Sequence, residues 1–257
     1  MNSKFDGIIF DVDGVLIDVK NSFLKAIKET TTYILKNWYG KNVSVTEADI
    51  EAIKCVKGFN NDWDATYRLI ELLDKEVPRI DFSSEAEIVD KKTQQTKKYR
   101  DIRFVFDTYY WGSDLFSKKY KVSPAFIKKW GLFKKEKQLI KQNILKALSK
   151  NYVLGIATGR DKFEVDFGLL AFKDIKNFIP RKNIITEEDT LYTKPHPAPL
   201  LKAKSRMKVK KPIYIGDSIN DVLAAKAAKM PSIYIGKEKI GDYQLKSVND
   251  IGKVISV

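Results

Sequence analysis

Sulfur and imidazole are nearly missing from this sequence. A single cysteine in 257 residues, Cys55, excludes an internal disulfide and suits a reducing compartment. A single histidine, His196, with no cysteine cluster beside it, leaves no spacing that would ligate zinc. No apolar run approaches the roughly 20 residues needed to span a bilayer. The opening MNSKFDGIIF lacks the basic start, long apolar stretch and small-residue cleavage site of a signal peptide. These absences make a cytoplasmic protein without membrane contact the expectation. Internal repeats and low-complexity tracts are also lacking. Acid is the scarcer charge, 33 residues against 47 Lys and Arg, for a formal net charge of +14.

What is present reads as a globular chain, with 44% hydrophobic and 31% charged residues. The length suits one large domain or two unequal ones. Basic charge peaks between Lys118 and Lys150, where eleven lysines face one acid, Glu136, with Phe126, Trp130 and Phe133 interleaved. Basic segments with aromatics can bind nucleic acid. The plainer reading is a solvated, lysine-rich helical surface whose field also draws small anions.

Periodicity divides the chain into unlike parts. Phe5 to Phe10, Val153 to Ala157, Ile184 to Ile185, Ile213 to Ile215 and Ile233 to Ile235 are short apolar runs, as buried parallel strands are. Helical patterns lie between them, over Lys137 to Leu148, Lys162 to Phe172, Pro199 to Met207 and Asp221 to Ala228. The alternation predicts an α/β fold, a doubly wound, mostly parallel sheet. Residues 16–135 interrupt it with helical patterns over Asn21 to Trp38, Trp63 to Leu73 and Arg103 to Leu115. A further helix opens near Ser44 or Thr46, and Val77 to Asp101 reads as a polar linker. The expected organisation is therefore an α/β core of residues 1–15 and 136–257, with a helical domain of residues 16–135 inserted after the first strand.

Against so basic a composition, Asp11 and Asp13 at the end of an apolar strand stand out, because burying two close carboxylates adds repulsion to desolvation. Ligands of open α/β sheets bind beyond the carboxyl ends of the strands. Thr158-Gly159-Arg160, Lys194-Pro195 and Gly216-Asp217-Ser218-Ile219-Asn220-Asp221 follow later strands, so four segments would meet at one rim. Several carboxylates around one point favour a hard divalent cation such as Mg²⁺. A carboxylate could then act as nucleophile toward a phosphoryl group. Thr158 and the Gly159 amide would bind phosphoryl oxygens, and Lys194 would offset charge.

In order and at these strand ends, FDVDGVLID, ATGR, TKPHP and GDSIND resemble the four motifs of the haloacid dehalogenase superfamily. The insertion sits where a helical C1-type cap sits in members resembling the phosphoglycolate phosphatase and β-phosphoglucomutase group. The resemblance implies Asp11 as nucleophile forming an aspartyl-phosphate, and Asp13 as general acid and then general base. It also implies Mg²⁺ held by Asp11, the Asp13 carbonyl and Asp217, with Asp221 supporting directly or through water. Members that cleave carbon–halogen bonds lack an acid at the Asp13 position and need no metal. A Mg²⁺-dependent phosphatase acting on a small phosphorylated metabolite is therefore expected. A phosphomutase or another hydrolase of the superfamily remains an alternative, as does a nucleic-acid-binding protein using residues 118–150. Taken singly, DVDG could be a strand-end turn and GDSIND a helix cap. In the insertion, Asn60, Asn61 and Trp63 are candidates for substrate specificity, or for an N-cap and its staple. Arg160 reads as substrate-facing or as the start of a helix.

Overall fold

A computed structural model describes residues 4–56, 59 and 61–256. The chain divides into two compact units, Met1–Asp18 with Lys137–Val257, and Val19–Glu136.

The first unit is built on a six-stranded parallel sheet. Its strands are β1 (Gly7–Phe10), β4 (Val153–Ala157), β5 (Ile184–Ile185), β6 (Pro212–Gly216), β7 (Ser232–Ile235) and β8 (Tyr243–Leu245), in the order β5-β4-β1-β6-β7-β8. A short antiparallel pair, β2 (Ile17–Asp18) with β3 (Lys137–Gln138), lies where the chain leaves and re-enters this unit. Every residue of β1 and β6 is buried, as strands covered on both faces must be. One face, carrying Ile9 and Tyr214, packs against Leu200, Ala203 and Met207 of a helix at Ala198–Met207 and Ala224 and Ala225 of a helix at Ile219–Ala227. The central strand β1 pairs with β4 on one side and β6 on the other, with Phe10 level with Ile156 and Ile215. Residues that follow these three strands therefore emerge at one edge of the sheet, on either side of the point where strand order reverses.

The expected strands are all present, and β8 is an addition. The helical pattern expected over Lys137 to Leu148 resolves instead into β3 and a helix at Gln142–Asn151. That expected over Lys162 to Phe172 shortens to Lys162–Phe167 followed by a 3₁₀ turn.

The second unit is helical, with its main helices at Lys25–Tyr39, Glu47–Lys54, Asp62–Asp74, Lys97–Trp111 and Ser113–Tyr120. Thr46 caps the second of these through a reciprocal box with Asp49. The helix expected over Arg103 to Leu115 breaks at Gly112. There φ is +76°, and an added Cβ would meet the Gly131 amide nitrogen at 2.8 Å. The segment Val77 to Asp101 is not a linker. Phe82 is fully buried and Ala86 and Val89 nearly so, and short helices form at Phe82–Glu85 and Lys91–Gln94. The lysine-rich stretch is an α-helical surface only at its ends, up to Tyr120 and from Gln142; between Tyr120 and Leu132 it is irregular, with Phe126 packed on Tyr33 and Tyr109. Phe23 stacks on Tyr110 at 4.6 Å, and the buried Glu136 carboxylate accepts hydrogen bonds from Ser22 Oγ and Tyr110 Oη.

Candidate active site

The edge of the sheet where β1, β4 and β6 end collects the chemistry. Asp11 directly follows β1, and its amide continues the ladder by donating to the Ile215 carbonyl at 2.8 Å. Asp217 directly follows β6, and Asp221 lies in the first turn of the helix that Ser218 caps. Each of Asp11, Asp217 and Asp221 offers a carboxylate oxygen within 4.8 Å of the others'. Gly14 makes this convergence possible. It adopts φ +72°, and a Cβ there would fall 1.8 Å from Asp217 Oδ2.

Lys194 is the counter-charge. Its Nζ lies 2.9 Å from Asp11 Oδ1 and 2.7 Å from Asp221 Oδ1, and it donates to Tyr214 Oη at 3.0 Å. Asp221 is fully engaged. Oδ1 accepts from Lys194 and Tyr214, and Oδ2 accepts from the Ser218 amide and hydroxyl. Four donors fill the four lone-pair sites of a carboxylate. Asp221 thus fixes Lys194, while with Asp11 and Asp217 it belongs to the cluster of carboxylates able to hold a metal ion.

The charges disagree with their surroundings. Burial pushes the Asp11 carboxyl well above the ordinary carboxylate range; Lys194 opposes the shift, while Asp221, Asp217 and Asp13 add to it. Asp217 is pushed up to about 7 by burial and by the charges of Asp221 and Asp13. For Asp221 burial acts upward too, but Lys194 and the hydrogen bonds from Lys194, Ser218 and Tyr214 outweigh it and hold the group low. One lysine does not balance three carboxylates, so the cluster lacks positive charge.

Asp13 stands apart from these three. Its carboxylate pairs with Arg160, Nη2 to Oδ1 at 2.6 Å and Nε to Oδ1 at 3.1 Å. The expectation that Asp13 joins the metal ligands concerns its main-chain carbonyl, which the pairing of the side chain with Arg160 leaves untouched. Thr158 follows β4 and is buried; its amide donates to the Ile185 carbonyl and its Oγ accepts from the Arg160 amide. Gly159 is exposed, with open space where a Cβ would stand. In the helical unit, Asn61 caps the helix at Asp62–Asp74, accepting from the Asp64 amide and donating to Asp64 Oδ2. Trp63 donates to Asp107 at 3.1 Å and lies under the Arg103 guanidinium at 3.7 Å. Both side chains are thus engaged in holding their own unit together. Asn60 lies outside the described residues. His196 stacks on Tyr192 and accepts from the Ala198 amide, shaping its loop.

Sequence reasoning missed Tyr214, which in IYIG looks like one more core residue of a strand. It also missed Ser218 as an acid-fixing donor, although its spacing to Asp221 is that of a capping box.

The sequence profile of the haloacid dehalogenase-like hydrolases matches residues 5–229. The chain belongs to this family. Three of the motifs of this hydrolase, at Asp11, Thr158 and Asp217, directly follow strands of its sheet. Phosphatase Tt82 from Thermococcus thioreducens is similar in structure, with a TM-score of 0.63 and 26% identity, covering 96% of this chain and 97% of that one. An imidazoleglycerol-phosphate dehydratase of Phytophthora nicotianae is 27% identical over 232 residues, 89% of this hydrolase and 42% of the relative. The pyrophosphatase PpaX of Anoxybacillus flavithermus is 28% identical over 134 residues, 48% of this hydrolase and 61% of the relative. The chain thus spans about half the length of the curated relatives it matches.

Proposed function

We propose that this hydrolase is a Mg²⁺-dependent phosphatase that cleaves a small phosphate monoester through an aspartyl-phosphate at Asp11. The observation that carries the reading is the convergence of Asp11, Asp217 and Lys194 at the end of the sheet, a close acidic pair short of positive charge beside one fixed ammonium. The phosphatase and pyrophosphatase among its relatives support it. An all-oxygen donor set fits a hard cation, with Asp11, Asp217 and the Asp13 carbonyl as its protein ligands. When bound, Mg²⁺ would supply the missing positive charge for the carboxylates and the phosphoryl oxygens facing them.

The chain's own residues account for the rest. Lys194 holds Asp11 Oδ1, so Oδ2 is the oxygen that attacks phosphorus. The bond from phosphorus to the ester oxygen breaks, and Asp13 gives that oxygen its proton, releasing the alcohol. Asp13 then takes a proton from water as the water attacks phosphorus. The Asp11–phosphorus bond breaks, orthophosphate leaves, and both aspartates return to their starting state. Thr158 and the Gly159 amide bind phosphoryl oxygens throughout.

The test is a panel of phosphate monoesters with Mg²⁺. Orthophosphate release should appear with Mg²⁺ and disappear with EDTA. Asp11→Asn should reduce kcat on the order of 10⁴-fold, about 5.5 kcal/mol of transition-state stabilisation. Borohydride reduction during turnover should convert Asp11 to homoserine, visible by peptide mass. Metal-independent turnover, or turnover that survives Asp11→Asn, would defeat the reading. Phosphoryl transfer to a second substrate hydroxyl without orthophosphate would mark a phosphomutase instead.

A further inference from the structure

Arg160 is among the most deeply buried charged side chains of the α/β unit, and its guanidinium forks onto the carboxylate of Asp13. The pair is asymmetric: the guanidinium side chain is 2% exposed and the carboxylate 36%. A sunk guanidinium is costly without a charged partner. The arginine is therefore the fixed member of the pair, and Asp13 is the member standing at the mouth of the site.

Local structure explains why Arg160 points inward. β4 ends at Ala157, and the Thr158 hydroxyl accepts from the Arg160 amide, closing a tight turn. The Arg160 carbonyl accepts from the Glu187 amide at 3.0 Å, and Asp161 caps the next helix through a reciprocal box with Glu164. The main chain is thus held on both sides of the residue. Its Nη1 lies 3.4 Å from where a Cβ of Gly168 would be, at the end of that helix, so the glycine leaves room for the guanidinium.

The contacts to Asp13 are uneven. Oδ1 receives Nη2 at 2.6 Å and Nε at 3.1 Å, whereas Oδ2 receives the same Nε at 3.4 Å. The fork fixes the carboxylate through Oδ1 and leaves Oδ2 the less engaged oxygen. We propose that Arg160 is a positioning residue that holds the Asp13 carboxylate by Oδ1 so that Oδ2 exchanges the proton with the ester oxygen and then with water. The inference rests on the reading of Asp13 as the acid and base of the proposed phosphatase reaction. It assigns Arg160 a part in the chemistry without contact to the phosphoryl group. Misplacing a proton-transfer group by an ångström costs on the order of 10²-fold, and in the first step, which kcat/KM reads, the effect belongs only to substrates whose leaving group needs the proton; the later water step is common to all substrates.

That selectivity is the test. The full chain is assayed with Mg²⁺ on p-nitrophenyl phosphate, whose leaving group departs without a proton, and on an alkyl phosphate, whose leaving group does not. Arg160→Ala should lower kcat/KM on the alkyl ester about 30-fold and on the aryl ester less than about threefold. Asp13→Asn should show the same bias, more strongly. Arg160→Ala introduced into Asp13→Asn should cause no further loss on either ester, the sign of two residues acting as one unit. Arg160→Lys, which can still donate to Oδ1, should recover part of the alkyl-ester rate. Thermal unfolding checks that each variant folds. Should Arg160→Ala fail to fold, Arg160→Lys and Arg160→Gln carry the comparison.

Equal losses of kcat/KM on both esters, or a further loss in the Asp13→Asn background, would overturn the proposal and place Arg160 on the phosphoryl group itself. A bias in Asp13→Asn with none in the Arg160 variants also overturns it, while leaving the phosphatase reading intact. Absence of bias in Asp13→Asn removes the acid role of Asp13 and this inference with it. A wild-type chain that hydrolyses neither ester brings down the phosphatase reading as well.

Discussion

Asp107 in the helical unit and Asp11 in the α/β unit are both buried aspartates whose carboxyl groups burial lifts above the ordinary range, yet their neighbours act in opposite directions. Around Asp107, Lys119, Arg103, the Tyr120 hydroxyl and the Trp63 indole all pull the group back toward its charged form. Around Asp11 Lys194 does so, while Asp221, Asp217 and Asp13 push further toward protonation. Asp64 repeats the pattern of Asp107, accepting from Tyr99 Oη at 2.6 Å, Asn61 Nδ2 at 2.8 Å and Gln94 Nε2 at 3.2 Å. The helical unit surrounds its buried acids with donors and cations. The α/β unit gathers its acids and leaves them in conflict. Conflict of this kind persists where function requires it, whereas a satisfied buried acid does structural duty.

The largest effect expected from this contrast is in the helical unit. Asp107→Ala strips the acceptor from the Trp63 indole and the Tyr120 hydroxyl and leaves Arg103 and Lys119 facing an empty site. A loss of about 3 kcal/mol is expected, read from the denaturant midpoint of the full chain. The carboxylate takes no part in the proposed chemistry, so kcat well below the unfolding temperature should change less than about threefold. A variant as stable as the wild type would erase the distinction between the two kinds of buried acid.

The next effect has the opposite sign. Asp217 is raised to about 7 in the folded chain, above its ordinary value near 3.9. The folded state then binds the proton more tightly than the unfolded state, so the metal-free protein loses stability as pH rises from about 4 through 7. Asp217→Asn has no proton to lose. At pH 8 in EDTA it should be more stable than the wild type by about 2 kcal/mol. The full shift corresponds to about 4 kcal/mol, and a side chain left partly open to solvent realises only part of it. At pH 4 the two proteins should unfold together. Added Mg²⁺ should stabilise the wild type and not the variant. A variant less stable than the wild type at pH 8 would mean that Asp217 is satisfied without a cation.

Much of this contrast is legible in the amino-acid sequence, and the reasons are physical. The runs around Ile8, Leu154 and Ile213 are apolar because a parallel sheet is covered on both faces, so β1, β4 and β6 can be read directly. Carboxylates at the ends of such runs stand out because nothing in a buried strand needs them. The short strand β8 escapes notice because in YQL only Leu245 is buried, too little for a period to show. Arg160 and Tyr214 are illegible for another reason. A side chain's direction after a Thr-Gly turn depends on the turn, and Asp13, on which Arg160 closes, lies 147 residues away. A tyrosine among isoleucines reads as core until its hydroxyl is seen to meet Lys194 and Asp221. In the helical unit the roles of Asp64 and Asp107 are equally hidden, because donors such as Tyr99, Gln94, Trp63 and Tyr120 carry no motif that marks them as partners.

The smallest expected effect tests how redundant that satisfaction is. Tyr99→Phe removes one hydroxyl from Asp64 and nothing else, since the ring and its tilted contact with Tyr67 at 5.5 Å remain. Asp64 keeps its bonds from Asn61 and Gln94, so no buried acceptor is abandoned. Such a change costs a net hydrogen bond, about 1 kcal/mol, and not the larger penalty of an orphaned charge. The denaturant midpoint should fall by that amount at pH 8 with or without Mg²⁺, because the group lies outside the cation-dependent cluster. A loss above about 3 kcal/mol would show that Asp64 depends on this single donor. The acids of the helical unit would then stand as close to conflict as Asp11 and Asp217 do.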